Sequence, residues 1–163
     1  MIFAIQCVVI CLIFTAIVVP TQLKDPLLHI MSYPAPIRKR VEELPQYAGT
    51  IKAIKRRHIA WKFAAVFILG ILLAAVAYFS GARGFASAFR HVFILFLAGN
   101  LYDVIILDLA WFCHSKRARI PGTEDMDKEY RNPWHHIRGG VIGLGLGTIV
   151  SLISGGIIYF ISP

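Results

Sequence analysis

Charged residues are scarce in this sequence. They make up 16% of its 163 residues, whereas about a quarter of the residues are charged in an average soluble domain. The deficit is concentrated in four apolar stretches, at residues 2–19, 63–81, 91–112 and 139–161. Each approaches or exceeds the length of about 20 residues that a helix needs to cross the hydrocarbon core of a bilayer. The sequence therefore predicts a single all-α membrane domain, residues 1–163, built as a bundle of four transmembrane helices.

Common catalytic and redox motifs are also missing. The three cysteines, Cys7, Cys11 and Cys113, form no C-x-x-C pair and cannot build a disulfide framework. The sequence has no H-E-x-x-H zinc motif, no G-x-S-x-G nucleophile elbow and no repeated histidine boxes. These absences exclude several familiar classes of membrane-bound and hydrolytic enzyme, and they leave an enzyme of another kind open.

The positions of the basic residues predict the orientation of the chain. Of the 17 lysines and arginines, all but Arg83 and Arg90 lie in residues 20–62 and 113–138. Basic residues favour the cytoplasmic side of a membrane, so we expect these two segments to be cytoplasmic loops of a plasma (inner) membrane protein. Both termini are then outside. The predicted partners are the bilayer and its anionic headgroups, without nucleic acid.

The first predicted loop has two parts. Prolines recur up to Pro45 and predict an irregular or extended chain. After Gly49, four residues recur at helical spacing: Ile51, Ile54, His58 and Trp61. The basic residues between them are Lys52, Lys55, Arg56, Arg57 and Lys62. This second part predicts a basic amphipathic helix that leads directly into the second span.

The third span carries polar residues inside an apolar run. At the α-helical spacing of about 100° per residue, Asn100, Asp103, Asp108 and His114 share one side of the helix. A mid-span aspartate costs about 2.5–3.5 kcal/mol on insertion scales, so such residues normally face the interior of a bundle. One interpretation is a path for an ion or small solute. The other is that these side chains bond to neighbouring helices and hold the bundle together.

The fourth span carries a stripe of small residues at four-residue spacing. Stripes of this kind let two helix backbones approach closely. The contact can lie within one subunit or between subunits, and because four helices enclose little volume we expect a homo-oligomer or a larger membrane complex. The stripe consists of Gly139, Gly143, Gly147, Ser151 and Gly155.

The second predicted loop combines helix signals with possible metal ligands. Thr123 is predicted to cap a short helix that ends near Tyr130, and Asn132 is predicted to cap the fourth helix. Imidazole and carboxylate side chains together could bind a divalent metal. The alternative is that the acids cap a helix and the histidines lie among lipid headgroups. The candidate ligands are His114, Glu124, Asp125, Asp127, His135 and His136.

Three hypotheses for the function follow from these features. The first is a small membrane protein that handles an ion or small solute along the polar face of the third span. The second is a membrane enzyme that acts on a lipid or lipid-linked substrate at the cytoplasmic face, and the third is an accessory subunit of a membrane complex. In the second hypothesis, Asp108, His114, the loop acids and His135 or His136 supply acid–base or metal chemistry. Four arginines bind a phosphate or headgroup: Arg117, Arg119, Arg131 and Arg138.

Overall fold

A computed structural model of the chain describes residues 2–47 and 49–162, without the side chains of Lys52 and residues 56–60. The described residues contain helices and no strand. A π-helical segment, Asp103–Trp111, and a short 3₁₀ turn, Phe112–His114, continue the fourth helix. The α-helices are α1 (Ile2–Lys24), α2 (Ala35–Glu43), α3 (Thr50–Phe79), α4 (Phe85–Tyr102), α5 (Asp127–Tyr130) and α6 (Pro133–Ile161).

Four helical segments of the described chain are long and apolar enough to cross a membrane. They are Ile2–Lys24, Trp61–Phe79, Phe85–His114 and Asp127–Ile161, and each overlaps one predicted span. The prediction of an all-helical protein with four membrane-compatible helices is confirmed. We call the end of the bundle formed by residues 20–62 and 113–138 the loop end, and the opposite end the terminal end.

α1 continues through Pro20 to Lys24, beyond the predicted end of the first span. A proline inside a helix removes one backbone donor. The Thr21 hydroxyl donates a hydrogen bond to the Ile17 carbonyl at 2.6 Å. Pro20 leaves the Ala16 carbonyl without its usual helical donor, whereas the Thr21 hydroxyl bonds to the next carbonyl along the chain. α1 nevertheless continues to Lys24 at the loop end.

The first loop is largely helical, so the prediction of an irregular chain up to Pro45 is wrong. A 3₁₀ helix covers Pro26–Ser32, and α2 follows it. Pro36 lies in the first turn of α2, where a missing backbone N–H costs nothing because that donor has no partner in the helix. Ile37 and Val41, four residues apart, are fully buried. Contacts between this buried face and the rest of the protein therefore stabilise α2 as a helix.

The predicted basic helix is confirmed as a helical backbone, because the first part of α3 runs without a break into the second span. Ile51 is buried and Ile54 packs at the edge of the same cluster. Lys55, Trp61 and Lys62 of this helix are exposed. The side chains of its remaining predicted members lie outside the described residues: Lys52, Arg56, Arg57 and His58.

The two loops pack against each other and form a hydrophobic core at the loop end. Tyr33, Phe112 and Tyr130 lie within it, with ring centroids 5.0–6.0 Å apart. The Tyr33 hydroxyl accepts a hydrogen bond from the Gln22 amide and donates one to the Ala118 carbonyl at 2.6 Å. Burial raises the pKa of Tyr33 above its ordinary value, because the phenolate would lose its hydration. This core connects the loop end of α1 to the segment that follows the third span.

Thr123 belongs to this core, and its predicted role as a helix cap is wrong. Its side chain is fully buried, and its hydroxyl donates to the Ile120 carbonyl at 2.7 Å. The Tyr130 hydroxyl bonds to the same threonine at 2.7 Å. α5 ends at Tyr130 as predicted, and the Asn132 side chain caps α6 by accepting from the Trp134 amide at 3.1 Å.

The small-residue stripe of α6 packs inside the subunit, against α4. Gly143 lies against the Asn100 side chain and Gly147 lies against the Phe96 ring, so closely that an added methyl group would overlap them. Gly155 contacts Phe85 in the same way. These three glycines of the stripe therefore pack against α4 of the same chain.

The first turn of the stripe differs from the prediction. Gly140 is buried against Val104, whereas Gly139 is exposed and faces open space. Ser151 is fully buried, as expected of a residue on the packed face. α4 therefore covers the stripe at Gly143, Gly147 and Gly155 and leaves Gly139 exposed. The homo-oligomer stays a prediction.

Candidate functional site

A cavity of about 750 Å³ lies in the apolar part of the bundle, between α1, α3 and α4. Its lining is almost entirely aliphatic and aromatic. Ile13 on α1 and Leu72 on α3 belong to different walls and are 49% and 56% exposed, so the cavity opens sideways between the two helices. On α1 the lining extends from Ile5 to Val18, about 20 Å at the α-helical rise per residue. The cavity can hold an extended hydrocarbon chain.

The terminal end of the cavity is closed by a hydrogen-bonded group of side chains. The Gln6 amide donates to the Ser80 hydroxyl at 2.7 Å, and its carbonyl oxygen accepts from the His91 ring at 3.0 Å. These bonds join α1 to the end of α3 and to the start of α4. Because the amide and the carbonyl oxygen of Gln6 are both hydrogen-bonded, this side chain links α1 to α3 and α4.

The loop end of the cavity carries the polar groups Asn100 and Asp103. The Asn100 amide donates to the Gly140 carbonyl on α6 at 3.1 Å. The Asp103 carboxylate takes part in no hydrogen bond among the described residues, and its electrostatic neighbours are Asp108 and His136. The cavity is therefore apolar along its length and has an acceptor at one end.

Asp103 also begins the π-helical segment, and this changes the predicted geometry. The α-helical spacing assumed from the sequence separates Asp103 and Asp108 by about 140° around the helix axis. That assumption is wrong for Asp103–Trp111, where the backbone is π-helical. Hydrogen bonds from i to i+5 widen each turn, so residues five apart lie closer to one face. Such segments are rare and are frequently found at functional sites.

Asp108 pairs with His136 near the start of α6. The His136 Nδ1 lies 3.1 Å from Asp108 Oδ2, and the histidine is only 4% exposed. Its Nε2 has no hydrogen-bond partner among the described residues. Phe112 packs edge-on against the imidazole, with centroids 5.2 Å apart, and the Cys113 thiol is a neighbouring polar group. Together with Asp103, this pair forms one ionisable cluster between the cavity and the loop end.

The residues predicted to bind a metal do not come together. In the part of the chain that the structure describes, no group of three or more His, Cys, Asp or Glu side chains could hold a metal ion. The His114 ring is exposed and donates to the Leu109 carbonyl at 3.1 Å. The His135 ring donates to the Ser32 carbonyl at 2.9 Å. Both rings therefore bond to backbone.

The loop acids bond to separate groups. The Glu124 carboxylate accepts from the Gly122 backbone amide at 2.9 Å, and Asp125 pairs with Arg40 at 3.1 Å on the surface. Asp127 pairs with basic residues of its own loop. The acids therefore stabilise the conformation of this loop. The described residues contain no cluster of side chains that would support the metal hypothesis.

The four arginines predicted to bind a headgroup fall into two classes. Arg119 is almost fully buried and pairs with Asp127, which Arg131 also approaches at 3.6 Å. Arg119 therefore stabilises the loop. Arg117, Arg131 and Arg138 are exposed and remain candidates for contact with headgroups.

No protein-family model matches the chain, and no curated protein or solved structure is significantly similar to it. Its function is therefore argued from its own geometry. Sequence reasoning missed the cavity because apolar residues that line it have the same composition as residues that face lipid. It grouped Asp108 with His135 and His136 in one proposed site but did not predict the direct pairing of Asp108 with His136, which depends on how α6 packs. One sequence signal could have indicated the polar contacts at the terminal end of the cavity: Gln6 is a strongly polar residue in the mostly apolar first span.

Proposed function

We propose that this protein binds the hydrocarbon chain of a lipid or lipid-linked molecule between α1, α3 and α4. The observation that carries the proposal is the long apolar cavity of about 750 Å³, open between α1 and α3. Ligand pockets are typically about 300–1,000 Å³, mostly apolar, with a few polar groups that fix orientation. Here Asn100 and Asp103 are the polar groups that orient the ligand.

The polar end of the cavity indicates the chemistry of the headgroup. An uncompensated carboxylate inside a membrane is costly, so it is normally paired or hydrogen-bonded. Asp103 accepts no hydrogen bond from the described residues. A ligand with a hydroxyl or amino group near the end of its chain supplies the donor that Asp103 needs. Asp103→Asn should then weaken binding of such a ligand more than binding of one without a donor.

Two neighbouring valines of α1 provide a matched test of the cavity. Val9 lines the cavity, whereas Val8 lies outside it and is 58% exposed. We expect Val9→Trp to fill part of the cavity and reduce the amount of bound lipid, and Val8→Trp to leave it unchanged. Native mass spectrometry of protein released from lipid nanodiscs measures the bound lipid. Equal retention by the two variants would contradict the proposal.

A second function, proton transfer along the third span, is supported by a different observation. Asp103, Asp108 and His136 lie within electrostatic range of each other, and the Asp108 side chain is 32% exposed. These groups form a series from the cavity towards the loop end. Proton flux into proteoliposomes, followed with a pH-sensitive dye, should be lost in Asp103→Asn and kept in Asp125→Asn. Equal flux in both variants removes this function.

A further inference from the structure

A basic cleft of about 280 Å³ lies between α2 and α3 at the loop end, apart from the cavity described above. Its charged side chains are Arg38 and Lys39 of α2, Lys55 of α3 and Glu42 of α2. Among the side chains that the structure describes here, the one acid leaves two positive charges unbalanced. Lys39 and Lys55 are exposed and Arg38 is half-buried, so the cleft is open to solvent or to headgroups.

The three cations of this cleft form no close ion pair with the described acids. The ion pairs found within 4.0 Å in the described residues include none of Arg38, Lys39 and Lys55. The Arg38 Nε is buried and has no hydrogen-bond partner among those residues. Buried donors in native proteins are nearly always paired. The Arg38 Nε itself is out of reach of solvent, so the excess of positive charge along the open cleft is what indicates that it receives an anion.

The cleft lies just beyond the layer in which lipid headgroups are found. Lys55 precedes Trp61, the first residue of the second membrane-compatible segment, by about 9 Å along α3 at the α-helical rise. The polar layer on each side of a bilayer is about 5–7 Å thick. Long basic side chains can bridge the remaining distance to the headgroup phosphates.

We infer that this cleft binds a phosphomonoester group, carried either by a membrane lipid or by a soluble phosphorylated compound. A phosphomonoester carries a charge of about −1.5 to −2 near neutral pH, which matches the two unbalanced positive charges. The planar guanidinium of Arg38 can donate two parallel hydrogen bonds to phosphate oxygens, and the two lysine ammonium groups add positive charge beside them. A phosphodiester has a single negative charge and is bound less tightly. This site is separate from the proposed lipid-chain cavity.

Binding to lipids of defined headgroup tests the inference on the full-length protein. In nanodiscs at about pH 8, where a phosphomonoester is fully ionised, we expect more bound phosphatidic acid than phosphatidylglycerol. Lys39→Met and Lys55→Met should each lower the affinity for phosphatidic acid about fivefold. Lys116→Met, an exposed lysine outside the cleft, is the matched control and should leave it unchanged. Equal binding of the two lipids, or equal losses in the cleft and control variants, overturns the inference.

Competition with inorganic phosphate shows whether the cleft recognises a phosphate group on its own or only as part of a lipid headgroup. Detergent-solubilised protein is titrated with phosphate in the presence of phosphatidic acid. Competition assigns the cleft to the phosphate group itself, and retained phosphatidic acid without competition assigns it to a lipid headgroup. If neither binds, the inference fails. Val9→Trp should reduce lipid in the cavity while it preserves the preference for phosphatidic acid, so failure of one proposal is distinguishable from failure of the other.

Discussion

The imidazole of His136 and the carboxylate of Asp108 are joined at 3.1 Å across the interface between α6 and the third span. His136 lies in the first turns of α6, and Asp108 lies in the π-helical segment. The pair therefore connects the irregular part of the third span to the helix that follows the second loop. Its burial makes it the ion pair whose loss should matter most to the fold.

Removal of either partner should destabilise the protein. Breaking a buried pair leaves the other group uncompensated, which costs about 3–5 kcal/mol when both groups are buried. Because Asp108 is partly exposed, we expect about 2–3 kcal/mol for His136→Ala. Chemical unfolding in detergent measures this cost, and a double-mutant cycle with Asp108→Ala isolates the coupling between the two side chains.

The pair formed by Arg40 and Asp125 is the control for this experiment. It has the same separation of 3.1 Å, but its side chains are 44% and 66% exposed. Exposed pairs contribute about 0.2–1 kcal/mol, so its coupling should be below about 1 kcal/mol. Similar coupling in the two pairs would contradict the role that we assign to burial.

Two glycines of α6 should respond to alanine in opposite directions. A methyl group at Gly147 would overlap the Phe96 ring, whereas one at Gly145 would meet no atom within 4 Å. We expect Gly147→Ala to lower the free energy of unfolding by about 1–3 kcal/mol through overpacking. Gly145→Ala should raise it by about 0.5–1 kcal/mol, because alanine favours a helix over glycine. A cost at Gly145 equal to that at Gly147 would show that another surface covers the exposed face.

The hydroxyl of Tyr33 should contribute to the stability of the loop-end core. Tyr33→Phe leaves the Gln22 amide and the Ala118 carbonyl without their partner, and an unsatisfied buried group costs about 1–3 kcal/mol. Tyr47→Phe is the control, since that hydroxyl makes an exposed hydrogen bond of 3.3 Å to Pro121. The midpoints of chemical unfolding should fall clearly for Tyr33→Phe and little for Tyr47→Phe.

The same tyrosine predicts a loss of stability at alkaline pH. Burial raises the pKa of Tyr33 in the folded protein, whereas the unfolded chain releases this proton near the ordinary value of about 10. The stabilising contribution is therefore complete below about pH 10 and falls as the pH rises further, because the unfolded chain then binds fewer protons. Wild-type stability should decline more steeply above about pH 10 than that of Tyr33→Phe. Parallel declines would contradict this assignment.

The predicted orientation can be tested by labelling single cysteines with a membrane-impermeant maleimide. In a background without the native cysteines, Arg83→Cys in the connection between α3 and α4 should be labelled on intact cells. Lys116→Cys at the loop end should be labelled only after the membrane is opened. These results follow from the excess of basic residues at the loop end. The reverse pattern would place the loops outside.

Local composition was sufficient to predict the four apolar helices. Length and hydropathy alone decide whether a segment can cross a bilayer, and the cap at Asn132 depends on residues only two positions apart. The helix in the proline-rich loop was missed because Ile37 and Val41 are buried by residues distant in the chain. Propensity is overridden when such burial is available.

The site itself was decided by the tertiary structure. The sequence shows Asp103, Asp108 and His136 as polar residues, but the π-helical backbone and the packing of α6 determine which of them meet. The cavity exists because α1 packs mainly on α4 and stands away from α3. The basic cleft likewise depends on how α2 lies against α3. Each of these features is a relation between helices, and contacts between distant segments set it rather than the composition of any one segment.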